Sequence, residues 1–225
     1  MTLRHRAAAL LAAGALAATG LAVAPAAQAS SPAGVVTPKA TGTNSLAAVL
    51  TGGGVGFDKN WNDYDIVTAA VLAVLKAKPD SAVKVLTDGS VDLTAFIPND
   101  RAFQRLVKDL IRKTLLREKD VFGAVAKLGI PTVEAVLLYH VVPGATITSA
   151  MALKSDGAHL TTALGSTVHV AVYGGPMISL WDKDLNSRNA RVILSQVDIN
   201  KGNAQIAHGI DRVLRPIDLP PRFRG

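Results

Sequence analysis

Hydrophobic and polar positions fall into three regimes along the chain. From Ala7 to about Ala24 the residues are almost continuously apolar, rich in alanine and leucine, behind the short basic stretch Arg4, His5, Arg6. From Ile66 to His140 apolar residues recur three and four apart, the spacing of helices that bury one face. From Thr167 onward they alternate, as in strands with one face covered.

In the helical regime, Asn62, Asp63, Tyr64 and Asp65 offer caps and acidic first-turn residues to a helix whose apolar face is Ile66, Val67, Ala70, Val71, Val74 and Leu75, ended by Pro79. Asp88-Gly89 predicts a turn, and Leu93 to Ile97 a short strand halted by Pro98. Asn99 or Asp100 then caps a helix with Phe103, Leu106 and Leu110 on one side. A further helix is predicted from about Asp120 to Leu128, broken at Gly129-Ile130-Pro131, and another through Val133, Val136 and Leu137 to His140. In the strand regime, Val168, Val170 and Val172 lead through the turn Gly174-Gly175-Pro176 to Met177–Trp181, a hairpin signature. Asp182 to Asn189 reads as a polar turn, and Ala190 to Val197, Gln205 to His208 and Ile210 to Leu214 as short strands. Helices first and strands later predict the α+β class.

The first apolar run ends in Ala27-Gln28-Ala29 before Ser30, so residues 1–29 read as a secretory signal peptide with an A-x-A cleavage site. A transmembrane anchor is the alternative, disfavoured by Gly14, Thr19, Gly20 and Pro25 within the run; no stable membrane span is expected after cleavage. Residues 30–44 are Ser/Thr/Pro/Gly/Ala-rich and aperiodic, a flexible lead-in. A single domain over residues 45–217 and a tail over 218–225 complete the division. Thr51 to Gly56 is a glycine-rich loop without the Gly-Lys-Ser/Thr that would cradle a phosphate. With no cysteine in 225 residues there is no disulfide framework and no cysteine-linked lipid anchor, so the domain must be held by its core.

Charge and candidate chemistry narrow the function. The net charge of +7 is mild, and the densest basic patch (Lys108, Arg112, Lys113, Arg117 and Lys119, with Asp109 and Glu118) predicts the solvated face of a helix, so no nucleic acid partner is expected. No G-x-S-x-G elbow accompanies the Ser, His and Asp residues. Asp182-x-Asp184-x-Asn186 begins like a calcium loop, but Ser187 stands where glycine is required and Ile193 where the bidentate glutamate belongs. His140, His159, His169 and His208 show no i, i+4 pairing and no thiolates accompany them. The reading is of a non-enzyme without metal or cofactor.

Three segments carry a family resemblance: Leu93-Thr-Ala-Phe-Ile-Pro-Asn-Asp-Arg-Ala-Phe103, Tyr139-His-Val-Val-Pro-Gly144, and Asn203-Ala-Gln-Ile-Ala-His208-Gly-Ile-Asp211-Arg-Val-Leu-Arg-Pro216. In order and spacing they resemble the motifs of the fasciclin domain. The resemblance implies a compact wedge of twisted β-strands flanked by several helices, and a role in cell adhesion or extracellular binding without catalysis. It departs from the family in a longer, more basic stretch between Phe103 and Tyr139, in Ile97 and Asn99, and in Gly209 where an apolar residue is usual. In animal members the tyrosine-histidine pair is linked to integrin recognition, which would carry over to Tyr139 and His140.

The candidate binding or structural motif is therefore Tyr139, His140, Val141, Val142, Pro143, His208 and Asp211. The residues themselves favour structure: an imidazole beside a helix end and a Pro-Gly turn can donate to a backbone carbonyl and fix the chain's change of direction. His208, in an alternating apolar strand, reads as a satisfied core histidine and Asp211 as its local capping or pairing neighbour. The expected partner is an extracellular protein or cell-surface component, homophilic contact included, for a secreted protein in loose association with a cell wall, the short alanine-rich signal being of the bacterial kind. The alternative is a polysaccharide, lipid or small ligand in the groove between helices and sheet, with Trp61, Trp181 and Tyr173 as the available stacking surfaces. An exposed tryptophan pair favours the ligand, and an apolar patch favours a protein.

Overall fold

The computed structural model describes residues 42–54 and 56–218. The signal peptide, most of the lead-in and the tail beyond residue 218 lie outside the described residues.

Helix α1 (Leu46–Gly52) is capped by Ser45, whose hydroxyl accepts from the Ala48 amide. Helix α2 (Asp65–Ala77) buries Ile66, Val67, Ala70, Val71 and Val74, the predicted face. Its cap is not local: Tyr64 makes no capping bond, and the Ile66 amide instead donates to Oδ1 of Asp100 at 2.9 Å. Asp100 opens α3 (Asp100–Ile111), itself capped by Asn99 through the Ala102 amide. Phe103, Leu106 and Val107 of α3 are buried, but Leu110, predicted to join them, is exposed on the last turn. Helices α4 (Glu118–Ala126) and α5 (Ile130–Tyr139) follow, separated by Gly129 at φ 83°, with Pro131 in the first turn of α5 where its missing amide costs nothing.

All six residues of strand β1 (Leu93–Pro98) are buried because both of its faces are covered. It is the middle strand of a three-stranded sheet, between β2 (Val141–Pro143), antiparallel, and β7 (Gln205–Ile210), parallel. Leu93, Ala95 and Ile97 pack into the core beneath the helices, while Phe96 points the other way. There it meets a second sheet in the order β3 (His159–Thr161), β4 (Thr167–Tyr173), β5 (Met177–Trp181) and β6 (Ala190–Arg191), each antiparallel to its neighbour. Val168, Val170, Ile178 and Leu180 face inward onto Phe96, Tyr139, Val142, Ile210 and Leu214. A one-turn helix, α6 (Ser149–Ala152), links the sheets. The result is α+β: helices, a central sheet, then an outer sheet, with a core on each side of β1.

Three sequence expectations are corrected. Ala190 to Val197 is not one strand: pairing stops at Arg191 and Leu194–Gln196 turns as a 3₁₀ helix. Gln205 to Leu214 is not two strands but β7 alone, because unbroken pairing with β1 runs through Ile210, and the Arg105 guanidinium then holds the Asp211 carbonyl at 2.6 Å. The end of the lead-in is pinned: Gly42 donates to the Gly202 carbonyl and accepts from the Ala204 amide, both at 2.9 Å, and α1 takes Thr51 and Gly52 out of the predicted loop. The basic residues from Lys108 to Lys119 are solvated as expected, but they span the end of α3, a turn through Arg112 at φ 61° and the start of α4, and the acids among them, Asp109 and Glu118, are turned inward.

Candidate functional site

Tyr139 ends α5 with its ring fully buried, and its hydroxyl donates to the Thr167 carbonyl at 3.0 Å, joining the helix end to the outer sheet. Burial, with the Asp182 carboxylate nearby, pushes its hydroxyl up to about 12. His140 is 4% exposed and uses both ring nitrogens: Nδ1 donates to the Val136 carbonyl at 2.7 Å, and Nε2 accepts from the Leu214 amide at 2.9 Å. Both bonds require the neutral ring with its proton on Nδ1. Burial holds the ring neutral, pushing its pKa down to about 4 against the opposing pull of the Val136 carbonyl. Val141 and Val142 alternate into the helical and the inter-sheet cores, and Pro143 closes β2 opposite Leu93.

His208 mirrors His140 with the opposite tautomer. Its Nε2 donates to the Ile147 carbonyl at 2.8 Å and its Nδ1 accepts from the Asp198 amide at 3.3 Å, so β7 is tied to the segments entering α6 and β7. Burial pushes its pKa down as well. Asp211 is paired, but not locally as expected: it accepts from the Arg191 amide at 2.8 Å and meets the Arg105 guanidinium at 3.3 Å, both distant in sequence. Gly209, between these residues, has a specific reason to lack a side chain. A Cβ there would lie 2.4 Å from the Tyr64 hydroxyl and 2.8 Å from Cβ of Gln196.

Two further buried groups escaped the sequence reading. Gln205 is completely buried, with its amide donating to the Val85 and Asp88 carbonyls, both at 2.7 Å, and accepting from the Leu46 amide at 2.8 Å. Arg215 is 9% exposed and bridges Asp109 on α3, at 2.6 Å, to Asp184 beyond β5. Asp182 accepts from the Arg215 and Asp184 amides, so both acids of the calcium-like segment are engaged by the chain's own C-terminal residues. Tyr139, His140, Val141, Val142 and His208 thus converge on a buried seam between helices and sheets, with Pro143 and Asp211 half-buried at its edges.

Among the concave regions of the described surface, two are lined mostly by apolar atoms. One, of about 700 Å³, lies between α3 and α4, floored by Val107, Leu110, Ile111, Leu115 and Leu128 and rimmed by Lys113, Lys119 and Lys127. Leu116 nearby is 80% exposed and Ile111 49%. The other is the outer face of the second sheet, where Trp181 makes an edge contact with His169 at 5.2 Å and His169 a tilted one with His159 at 4.8 Å. A hollow of about 520 Å³ opens beside this row, bounded by Asp182, Lys183, Leu185 and Asn189, and Tyr173 lies exposed at the far end of the same face. Trp61 is elsewhere, packed on the helical core under the Arg101 guanidinium, so the tryptophans form no pair. Between helices and central sheet, the space among Leu46, Val67, Phe103 and His140 is only about 30 Å³, room for one water.

The sequence model of the fasciclin domain matches residues 67–216, which include all three motif segments from Leu93 to Pro216. The chain belongs to the fasciclin domain family. Among solved structures, a FAS1 domain pair from the insect cell adhesion molecule fasciclin I is similar to it with a TM-score of 0.47 and 19% identity. That alignment covers 66% of this chain and 46% of the other, so this fasciclin domain spans about half the length of the solved chain it matches. No curated protein matches it. Among the described residues of the fasciclin domain, no single helix is long and apolar enough to cross a membrane.

Proposed function

We propose that this fasciclin domain is a secreted, non-catalytic adhesion module that binds a protein at the cell surface through the groove between α3 and α4. One observation carries the reading. Tyr139, His140 and His208 are buried with their polar atoms committed internally, whereas the α3–α4 groove presents exposed leucine and isoleucine inside a ring of lysines. Apolar surface of this kind, rimmed by charge, marks a protein contact. The lysine rim selects a partner segment that is apolar at its centre and acidic at its edges. The groove also falls in the stretch between Phe103 and Tyr139 that is longer and more basic than the family pattern, which suits a contact particular to this protein.

The test is a pull-down of the domain from Ser30 onward against whole cells and extracellular matrix proteins, repeated at high salt, for the wild type and for Leu110→Glu and Ile111→Glu. Salt-resistant capture that both variants lose at unchanged melting temperature supports the groove. Capture that survives both changes removes it, and capture that salt abolishes altogether reduces the contact to a diffuse basic surface.

The exposed Trp181 favours a second reading, a polysaccharide stacked on the outer sheet face. Saturable binding to isolated cell-wall polysaccharide that Trp181→Ala removes would select it. The 30 Å³ between helices and central sheet accommodates neither ligand, so either would sit on an outer face and not in the groove expected between helices and sheet.

A further inference from the structure

Away from both concave regions, the N-termini of α2, α3 and α4 converge and bring five carboxylates together. Asp63 and Asp65 come from the start of α2, Asp100 from α3, Glu118 from α4, and Asp58 from the preceding loop. Carboxylate oxygens of Asp58, Asp65 and Glu118 lie within 4.8 Å of one another, as do those of Asp63, Asp65 and Asp100, so Asp65 belongs to both groups.

Two observations separate this cluster from an ordinary acidic surface. Asp100 is 0% and Glu118 1% exposed, and each commits one oxygen to a backbone amide, Asp100 to Ile66 and Glu118 to Asp58 at 2.6 Å. Oε1 of Glu118 is buried without a partner, and Oδ2 of Asp100 and Oδ1 of Asp63 are buried with no donor group, their two carboxyls facing each other closely enough that only a proton or a cation can bridge them. A buried carboxylate oxygen left unpaired costs free energy that a folded chain ordinarily avoids. The second observation is the missing counter-charge. Among the described residues none of the five acids forms an ion pair with lysine or arginine, although Asp120, Glu134, Asp184, Asp198 and Asp211 all do. Arg101, beside Asp100 in sequence, is turned onto the Trp61 ring, 5.7 Å from its centre. The helix N-termini contribute only partial positive charge, about half a unit each.

We propose that this cluster is a calcium site, with Asp65 shared between its two sides and the free oxygens of Asp100 and Glu118 closing it from below. The donors are all carboxylate oxygens, which select a hard cation over zinc or copper. Calcium binds oxygen at about 2.3–2.6 Å in flexible geometry, which places opposed ligand atoms about 5 Å apart, whereas magnesium requires a tighter octahedron. Asp58 lies exposed at the outer edge and leaves a path for the ion. The competing occupant is a proton shared by Asp63 and Asp100, which would satisfy those two oxygens but leave Glu118 unpaired.

The experiment is terbium luminescence excited through Trp61 and Tyr64, with competition by calcium and by magnesium, alongside melting curves of the purified chain with and without millimolar calcium. The variants are Asp65→Asn, placed in the cluster and only half-buried, and Asp80→Asn, exposed and outside it. Expected are a sensitised signal that calcium displaces at least tenfold more effectively than magnesium, a higher melting temperature with calcium, and loss of both in Asp65→Asn but not in Asp80→Asn. Circular dichroism without calcium checks that Asp65→Asn is folded, with Asp58→Asn as the substitute if it is not. No sensitised signal, an equal signal in the folded variant, or a melting temperature indifferent to calcium overturns the site in favour of the shared proton.

Discussion

The Leu214 amide donates to Nε2 of His140 across 74 positions of sequence, while the same ring's Nδ1 donates to Val136 one helical turn back. The ring thereby joins the end of α5 to the C-terminal segment. Tyr139→Ala and His140→Ala should each lower stability, by about 3–5 kcal/mol for the tyrosine, whose buried ring leaves a cavity, and by about 1–3 kcal/mol for the orphaned Leu214 amide. Denaturant titration measures both. An unchanged melting temperature combined with lost capture of a partner would make the motif an interface after all.

Acid should weaken the fold through the two buried histidines. Both have folded-state pKa values below their unfolded ones, so the unfolded chain binds protons that the folded chain refuses, and stability rises with pH across that window. For His140 the window runs from about 4 to the ordinary value of 6.5, and its contribution is roughly 3 kcal/mol, present above the window and lost as pH falls through it. Unfolding free energies measured between pH 4 and 7 should show this slope, reduced in His140→Gln. The same slope in wild type and His140→Gln would mean that His140 titrates normally in the folded state.

Arg215 neutralises two acids that are themselves largely sequestered, Asp109 and Asp184. Arg215→Ala should cost about 3–5 kcal/mol because it strips the fully buried Asp184 carboxylate of its guanidinium, and Arg215→Lys should recover only part, since one ammonium cannot reproduce two directed guanidinium contacts. Chemical denaturation of the pair of variants checks the order. Equal stability of the lysine variant and wild type would show that charge alone suffices.

Gly209 is the position at which this chain departs from the family's apolar habit, and Tyr64 and Gln196 fill the space a side chain would take. Gly209→Val should therefore destabilise by about 1–3 kcal/mol. Tyr64→Phe combined with Gly209→Ala should be less damaging than the sum of the two changes, which a double-mutant cycle reads directly.

Much of the fold was legible because it rests on local rules. The burial of Ile66, Val67, Ala70, Val71 and Val74, the capping by Asn99, and the alternation through Val168 and Val170 were all readable from period and cap chemistry. The misjudgements concern partners distant in sequence. Asp100 replaces a local cap for α2, Arg105 turns the chain at Asp211, and Gly42 is fixed by Gly202 and Ala204, none of which a local window contains. The surface regions were less legible still. Leu110 has the spacing of a core residue and is exposed only because α3 outruns the elements that cover it, and the five acids around Asp65 are dispersed from Asp58 to Glu118.

The parallel pairing of β1 with β7 imposes an order on folding. Helices α2 to α5 can form on local contacts while the chain is incomplete, but the strand they pack on keeps an open edge until nearly the last residues are available. Closure of this pair joins segments far apart in the domain sequence, and long-range pairing of that kind is slow in comparison with helix formation. A chain cut short after β6 would keep the segments of its helices and still expose the edge of β1, a row of unpaired backbone groups ready to take a strand from another molecule.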